Sequence, residues 1–386
     1  IRNMKKNKIK IAHIQLLPLL SGVQRVSLDE LIRLDDHLYD KYLICKEPGD
    51  LTKACEDYNI NVLFVDDFVR EISLIKDIKS FFLLFKIFKQ YKFDIIHSHS
   101  SKTGVLARLA AKLARIPLIV HTVHGFAFPA AKSSFERRLY YILEKIGSEV
   151  SDKIICLHKF DYNIAVDELK VNKNIPVIIP NGVDVTKFNP NRKFIKKTIR
   201  DECNISENDI VVGFIGRLWK QKNPKVLLDA AFLILKSRQD VHFIFSGDGE
   251  YIDEFRRLVV MKKLASNIHF IGWRNDIPDI LKSFDIFVLP SLWEGMPLAI
   301  LEAQATGLPC IVSSIQGNNI LVTDNVNGFL FDLSDSTDLI DKLNILINNS
   351  KLREQFGINA LSSIKNNYLI DERIIKINEL YQSGLD

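Results

Sequence analysis

Short β-branched runs alternate with longer amphipathic stretches along most of the chain. IKIAHIQ (9–15), KYLIC (41–45), NVLFV (61–65), FDIIHSH (93–99), PLIVHTVH (117–124), KIICL (153–157) and VIIPN (177–181) read as strands. Amphipathic segments at 23–34, 73–91, 104–114, 134–149 and 160–169 lie between them. The pattern then restarts with IVVGFIG (210–216), VHFIFSG (241–247), IHFIG (268–272), IFVLP (286–290), PCIVSS (309–314) and GFLF (328–331). Alternation of this kind predicts parallel sheets covered by helices on both faces. The break between the two series falls from Pro180-Asn181-Gly182 through FNPNRKFIKK (188–197), which is rich in turn formers and charge. The expected fold class is α/β, with two doubly wound Rossmann-like domains facing across a cleft. The expected domains are 4–188 and 189–368, with 369–386 a helix that packs back on the first. In such sheets ligands bind beyond the carboxyl ends of the strands.

Composition narrows this picture without changing it. A chain of 386 residues suits two domains, and 47% hydrophobic with 26% charged residues is ordinary for a globular protein. No apolar run reaches the ~18–20 residues of a membrane span. No apolar h-region precedes the first strand, so no signal peptide is expected. Cys45, Cys55, Cys156, Cys203 and Cys310 are scattered, odd in number and form no Cys-x-x-Cys pair. That favours a reduced cytoplasmic protein over a disulfide scaffold or a zinc site.

Charge adds a surface. Residues 1–190 hold 29 Lys+Arg against 22 Asp+Glu, whereas the remainder holds 23 against 25. The excess concentrates in 76–145, with 13 basic and 4 acidic residues. Within KDIKSFFLLFKIFKQYK (76–92), Phe81, Phe82, Leu84, Phe85 and Phe88 interleave with Lys79, Lys86, Lys89 and Lys92, and FERRLYYILEK (135–145) repeats the mixture. Basic amphipathic helices with aromatics suit an anionic membrane interface. No nucleic-acid module accompanies the charge, so nucleic acid is not an expected partner.

The candidate chemistry centres on LPSLWEGMPLAILEAQATGLPC (289–310), where Glu294 and Glu302 stand eight residues apart. Pro297 suits the first turn of a helix, which puts Glu294 in the loop before it and Glu302 inside it. Gly295 lets the backbone approach a ligand closely, and the N–H groups of Gly295 to Leu298 are expected to point outward as donors. Ionised carboxylates only accept hydrogen bonds. Two acceptors around exposed donors suit a polyhydroxylated ligand with one anionic section, the character of a nucleotide sugar. His97-Ser98-His99 places two histidines on one face of a strand, but no carboxylate or cysteine nearby in the sequence completes a ligand set. No Asp-x-Asp motif occurs. No metal and no cofactor are therefore expected. Gly247-Asp248-Gly249 is not a dinucleotide fingerprint and reads as a turn beside the nucleotide, which leaves an oxidoreductase the weakest reading.

The spacing Glu294-x7-Glu302 resembles the signature of the GT-B retaining glycosyltransferases of family 4. GFIGRLWKQKNP (213–224), FSGDGE (245–250), IGWRNDIPDIL (271–281) and IPNGVDVTKFNP (179–190) match that family in order and spacing. SGVQRVSLDEL (21–31) looks like its first glycine loop, although Ser21-Gly22 stands where the family usually shows two glycines. DIIHSHSSKTG (94–104) and VHTVHGF (120–126) resemble its acceptor-domain strand ends. The resemblance spans about 11–331.

The resemblance implies roles. Arg217 and Lys222 hold the donor diphosphate, as a bidentate guanidinium and an ammonium can. Glu302 accepts from the ribose hydroxyls, and Glu294 binds hydroxyls of the donor sugar rather than acting as a nucleophile. Gly295, Met296, Pro297 and Leu298 offer N–H groups to the sugar and β-phosphate. Gly22 opens a phosphate-binding helix, and Gly247 and the peptide around Arg274 border the nucleotide. His124 lies near the transferred sugar, with Gly125-Phe126 where the family often carries an acidic residue.

The implied activity is retaining, metal-independent transfer from a nucleotide diphosphate sugar, a UDP-sugar, to a glycan or undecaprenyl-type lipid-linked acceptor. The implied setting is bacterial polysaccharide synthesis, in the cytoplasm and peripherally on the inner membrane face. The alternatives are a GT-B epimerase, which needs no membrane-facing patch, and a non-catalytic nucleotide-sugar binder. A phosphorylase would need a pyridoxal lysine that the sequence does not place.

Overall fold

A computed structural model describes residues 8–69, 73–131, 133–191, 199–335 and 337–385. Residues 4–7 of the expected first domain and 192–197 of the expected linker lie outside them. The chain divides into two units: residues 1–181 with 372–386, and residues 182–371. The expected boundary at 188 therefore sits inside the second unit. The reason is a stitch in the backbone. Val183 donates its N–H to the Tyr368 carbonyl at 2.8 Å, and Ile370 donates to the Val183 carbonyl at 3.1 Å. Gly182 packs so closely on this strand that a Cβ there would lie 2.6 Å from Ile370 Cα.

All of the predicted strands are present. Unit 1 contains β1 (Ile9–Ile14), β2 (Tyr39–Cys45), β3 (Asn61–Phe64), β4 (Ile95–Ser98), β5 (Leu118–Val123), β6 (Lys153–Cys156) and β7 (Pro176–Ile178). They form one parallel sheet in the order β3-β2-β1-β4-β5-β6-β7. Its helices are α1 (Gly22–Arg33), α2 (Asp50–Asp57), α3 (Leu74–Tyr91), α4 (Ser101–Ala114), α5 (Ser134–Glu149) and α6 (Lys159–Asn163). A π turn over Ile164–Glu168 continues α6, where one helix over 160–169 was expected. α2 has no counterpart in the hydrophobic pattern. It is short and polar, and starts where Gly49 N–H meets Thr52 Oγ1 at 2.9 Å.

Unit 2 repeats the plan. β8 (Ile210–Ile215), β9 (Val241–Ser246), β10 (Ile268–Gly272), β11 (Ile286–Leu289), β12 (Cys310–Ser313) and β13 (Gly328–Phe331) lie parallel in the order β10-β9-β8-β11-β12-β13. Around them are α7 (Ile199–Glu202), α8 (Pro224–Ile234), α9 (Ile252–Met261), α10 (Ile277–Lys282), α11 (Leu298–Ala305), α12 (Gln316–Asn319), α13 (Asp338–Asn348) and α14 (Ser350–Asn367). The last helix, α15 (Ile370–Leu385), belongs to unit 1 from Glu372 onward. Its Ile377, Leu380 and Tyr381 join a buried cluster with Ile11, Ile95, Leu118, Val120 and Ile155 of the sheet.

In each sheet the strand order reverses once, between β1 and β4 and between β8 and β11. A doubly wound sheet opens a crevice beyond the carboxyl ends of the strands at such a point. The two reversals place the polar residues described next.

The basic helices turn out differently from the sequence reading. On α3, Leu84 and Phe88 are buried and Phe81 and Phe85 pack against the core, so most of the aromatics face inward. The outward apolar residues are Leu74 (75% exposed), Ile75 (71%), Ile78 and Phe82 (62%), among exposed Lys76, Lys79, Lys86 and Lys89. On α5, Phe135, Ile142 and Ile146 are exposed beside Arg137 and Arg138.

Candidate active site

In unit 2 the loops after β8 and β11 carry the charged residues singled out in the sequence. Lys222 Nζ donates to Glu294 Oε1 at 2.6 Å, and Ser291 Oγ donates to the same oxygen at 2.6 Å. Oε2 has no partner among the described residues. It is available to accept from a ligand hydroxyl. The Glu294 side chain is 7% exposed and that of Lys222 19%, so the pair is largely withdrawn from water, with Lys222 the more exposed of the two.

The backbone fixes this arrangement. Leu292 N–H donates to the Gln221 carbonyl at 2.8 Å, and Gln221 Nε2 donates to the Trp293 carbonyl at 2.9 Å, tying the two loops together. Behind them, Ser313 Oγ donates to the Ser291 carbonyl at 2.5 Å. Gly317 lies against the peptides of Glu294 and Gly295, where a Cβ would come within 2.4 Å of the Glu294 carbonyl oxygen. Gln221, Ser291, Ser313 and Gly317 were missed in the sequence. Gly317 gives no signal of its own, because its contact lies 23 residues away along the chain.

Gly247 has a structural reason. Its φ is +135°, and a Cβ there would lie 2.0 Å from the Gly216 carbonyl oxygen. Leu218 N–H donates to the Asp248 carbonyl at 2.9 Å, so the 247–249 turn buttresses the loop that carries Arg217. Arg217 itself is exposed, with its guanidinium 4.8 Å from the centre of the Trp219 ring. Arg274 is committed elsewhere. It pairs with Asp276 at 2.5 Å and with Glu202 at 2.8 Å, and these hydrogen bonds, Asp276's first, raise its pKa further. Beside it, Trp273 and Asn275 are exposed.

The helix start needs one correction. α11 begins at Leu298, and Pro297 is its N-cap in an extended conformation (φ −72°, ψ 123°) rather than its first helical residue. Proline also has no N–H to offer. The N–H groups expected to face a ligand thereby reduce to those of Gly295, Met296 and Leu298. The helix dipole favours an anion there. Met296 is buried, so it contributes backbone only. Glu302 is buried inside α11.

In unit 1, Gly22 opens α1, and a Cβ at that position would meet nothing. Its lack of a side chain therefore answers to no packing within the chain. His124 follows β5 and lies 3.2 Å, through Nε2, from Nδ1 of His99. Both line a pocket with Gln24, His121, Gly125 and Glu144. Burial, then the Arg373 charge, pushes the His124 pKa down to about 3. The ring is therefore neutral near pH 7.

The expectation that no carboxylate stands near His97 and His99 is overturned. Glu30 of α1 reaches them from far along the sequence, with Oε2 3.7 Å from His97 Nδ1 and 4.0 Å from His99 Nε2. Glu30 is itself paired with Arg373 of α15 at 2.5 Å. Strand neighbours His13 and His97, which are in register, complete a fully buried group.

Comparison with known proteins identifies the fold and family. The signature described as "Glycosyl transferases group 1" matches residues 195–362, and that described as "Glycosyltransferase Family 4" matches residues 20–187. A galactosyltransferase of Escherichia coli, UDP-Gal:alpha-D-GlcNAc-diphosphoundecaprenol alpha-1,3-galactosyltransferase, is 46% identical over 380 residues, 97% of each chain. This chain belongs to the group 1 glycosyltransferases. N,N'-diacetylbacillosaminyl-diphospho-undecaprenol alpha-1,3-N-acetylgalactosaminyltransferase of Campylobacter jejuni is 27% identical over 83% of this glycosyltransferase and 85% of its own length. Among solved structures, Anabaena HepE in complex with UDP and glucose superposes with a TM-score of 0.83 at 21% identity, covering 97% of this chain and 100% of its own. At that identity it speaks for the fold, which is GT-B.

Proposed function

We propose that this glycosyltransferase moves galactose from UDP-galactose to a 3-hydroxyl of N-acetylglucosamine carried on a polyprenyl diphosphate, with retention at the anomeric carbon. Full-length identity of 46% to an enzyme named for that reaction carries the proposal. The geometry of unit 2 supports it. Glu294 Oε2 accepts from sugar hydroxyls, while Lys222, Arg217 and the first N–H groups of α11 receive the diphosphate. The C1–O bond to the β-phosphate breaks and the bond from C1 to the acceptor oxygen forms on the same face. The acceptor proton passes to the departing phosphate oxygen. The charge left on UDP is met by fixed donors, so the step is metal-independent.

The lipid-borne acceptor implies work at a membrane surface. Among the described residues no helix is long and apolar enough to cross a membrane. The exposed apolar residues of α3 and α5, set among lysines and arginines, support peripheral docking on anionic lipid instead.

The deciding experiment offers UDP-galactose, UDP-glucose, UDP-N-acetylgalactosamine and GDP-mannose in turn to a synthetic N-acetylglucosaminyl diphospholipid, with and without EDTA. The expected product forms from UDP-galactose, resists EDTA and is cleaved by an α-galactosidase. A product from another donor would replace the sugar assignment. Product sensitive only to a β-galactosidase would remove retention.

A further inference from the structure

The reversal point of unit 1 holds a side-chain group that the transfer chemistry leaves unused. His13 near the end of β1, Glu30 of α1, and His97 and His99 at the end of β4 converge, all buried. Each offers one ligating atom, and these atoms all lie within 4.8 Å of one another. His13 Nδ1 stands 3.0 Å from His99 Nε2. Glu30 Oε2 stands 3.7 Å from His97 Nδ1 and 4.0 Å from His99 Nε2. Four ligands at about 2.0–2.1 Å from one tetrahedral ion stand roughly 3.4 Å apart; these three separations fall on either side of that value, and the whole group needs to contract from within 4.8 Å. Glu30 Oε2 is buried and accepts no hydrogen bond.

The backs of the ligands are also held. His97 Nε2 meets Thr122 Oγ1 at 2.7 Å, and His99 Nδ1 meets His124 Nε2 at 3.2 Å. His13 Nε2 meets Tyr381 Oη at 3.2 Å, and Glu30 Oε1 receives Arg373 Nε at 3.0 Å. Inner atoms that converge while outer atoms are hydrogen-bonded are what a metal site shows in its supporting shell.

We propose that His13, Glu30, His97 and His99 bind one divalent transition cation of the zinc class at a structural site in unit 1. Three imidazoles and one carboxylate suit zinc, and four protein ligands close the coordination sphere. The site is thus distinct from the donor chemistry, and Arg373 of α15, paired with Glu30, ties that helix to it. Two features oppose the ion. Tyr381 Oη at 2.6 Å from His97 Nδ1 and Ser27 Oγ at 3.0 Å from His13 Nδ1 compete for the inner nitrogens, and Arg373 adds a nearby positive charge. These contacts define the rival, a network satisfied by hydrogen bonds alone.

The test uses the full chain without a histidine tag, stripped with chelator and titrated with Zn2+ or Co2+ alone. The expected result is one ion per chain, tetrahedral Co2+ absorption and a higher melting temperature than the stripped protein. Glu30→Gln and His99→Gln should each weaken binding at least tenfold. Glu30→Gln leaves Arg373 without its charge partner and can fail to fold, so Thr122→Val is read as well. It keeps the first ligands and should weaken binding about 10–100-fold. A folded chain that takes up no Co2+, or that binds it equally in all three variants, overturns the site. The rise in melting temperature given by UDP depends on unit 2, so it persists in either case and reports separately on the donor site.

Discussion

At the reversal between β1 and β4, unit 1 buries its polar residues and keeps them neutral or paired inside. At the reversal between β8 and β11, unit 2 holds an exposed Arg217 and a partly exposed Lys222, the latter paired with the more buried Glu294. The sheets share one topology, so the difference lies in where the side chains point and what meets them. A partly exposed group can be spent on a ligand at lower cost to the fold. A buried charge or histidine is held by its neighbours, and disturbing it costs stability first.

The sharpest break of this contrast is expected in unit 2. Lys222→Ala should lower the rate of transfer about 10²–10³-fold by removing a fixed donor to the leaving diphosphate. Glu294 keeps Ser291 as a partner but is 7% exposed, so the unfolding free energy should fall by about 1–3 kcal/mol, less than for the fully buried pair of unit 1. Urea titration beside a transfer assay checks both. A variant that unfolds as readily as it loses activity would erase the distinction. The opposite pattern is expected in unit 1. Arg373→Met strands the Glu30 carboxylate inside and should cost about 3–5 kcal/mol, most of it regained in the double variant Glu30→Gln/Arg373→Met.

These contrasts were unequally legible in the sequence. Every strand was readable, because fully buried parallel strands are unbroken apolar runs bounded by turn residues. The loop positions of Glu294, Lys222 and Gly247 were readable because each follows a strand end, but the Lys222–Glu294 pairing across two loops was not. The partnership of Glu30 with His97 and His99 was not, because it joins a helix to a strand end through tertiary packing. Gly317 was invisible for the same reason. The aromatics of α3 misled, because a stripe of phenylalanines among lysines reads alike whether it faces lipid or its own sheet. Pro297 shifted by one position, within the ordinary uncertainty of a helix start.

Acid sharpens the comparison at smaller scale. His121 of β5 is buried against Ser98 of β4, with Arg108 of α4, Glu144 of α5 and His124 nearby. Burial first, then the Arg108 charge, holds its pKa well below the ordinary value. The folded state therefore favours the neutral ring. Its contribution is complete above the unfolded value near 6.5 and is lost as pH falls below it, by up to about 1.4 kcal/mol per pH unit. Urea midpoints between pH 8 and 5 should fall, and fall less steeply in His121→Asn. Equal slopes in the two proteins would mean that His121 takes up no proton on unfolding.

The mildest effect is expected at the surface. The basic excess lies in the first half of the chain, and α3 exposes Ile75 and Phe82 among Lys79 and Lys86. Each lysine near an anionic bilayer contributes about 1 kcal/mol, and salt screens it. Lys79→Glu/Lys86→Glu should therefore reduce sedimentation with phosphatidylglycerol vesicles at low salt and leave transfer to a short-chain, water-soluble acceptor unchanged. Phe82→Asp separates apolar insertion from charge, since its loss of binding should persist at high salt. If both variants bind vesicles like the parent, the outward face of α3 is a solvated surface.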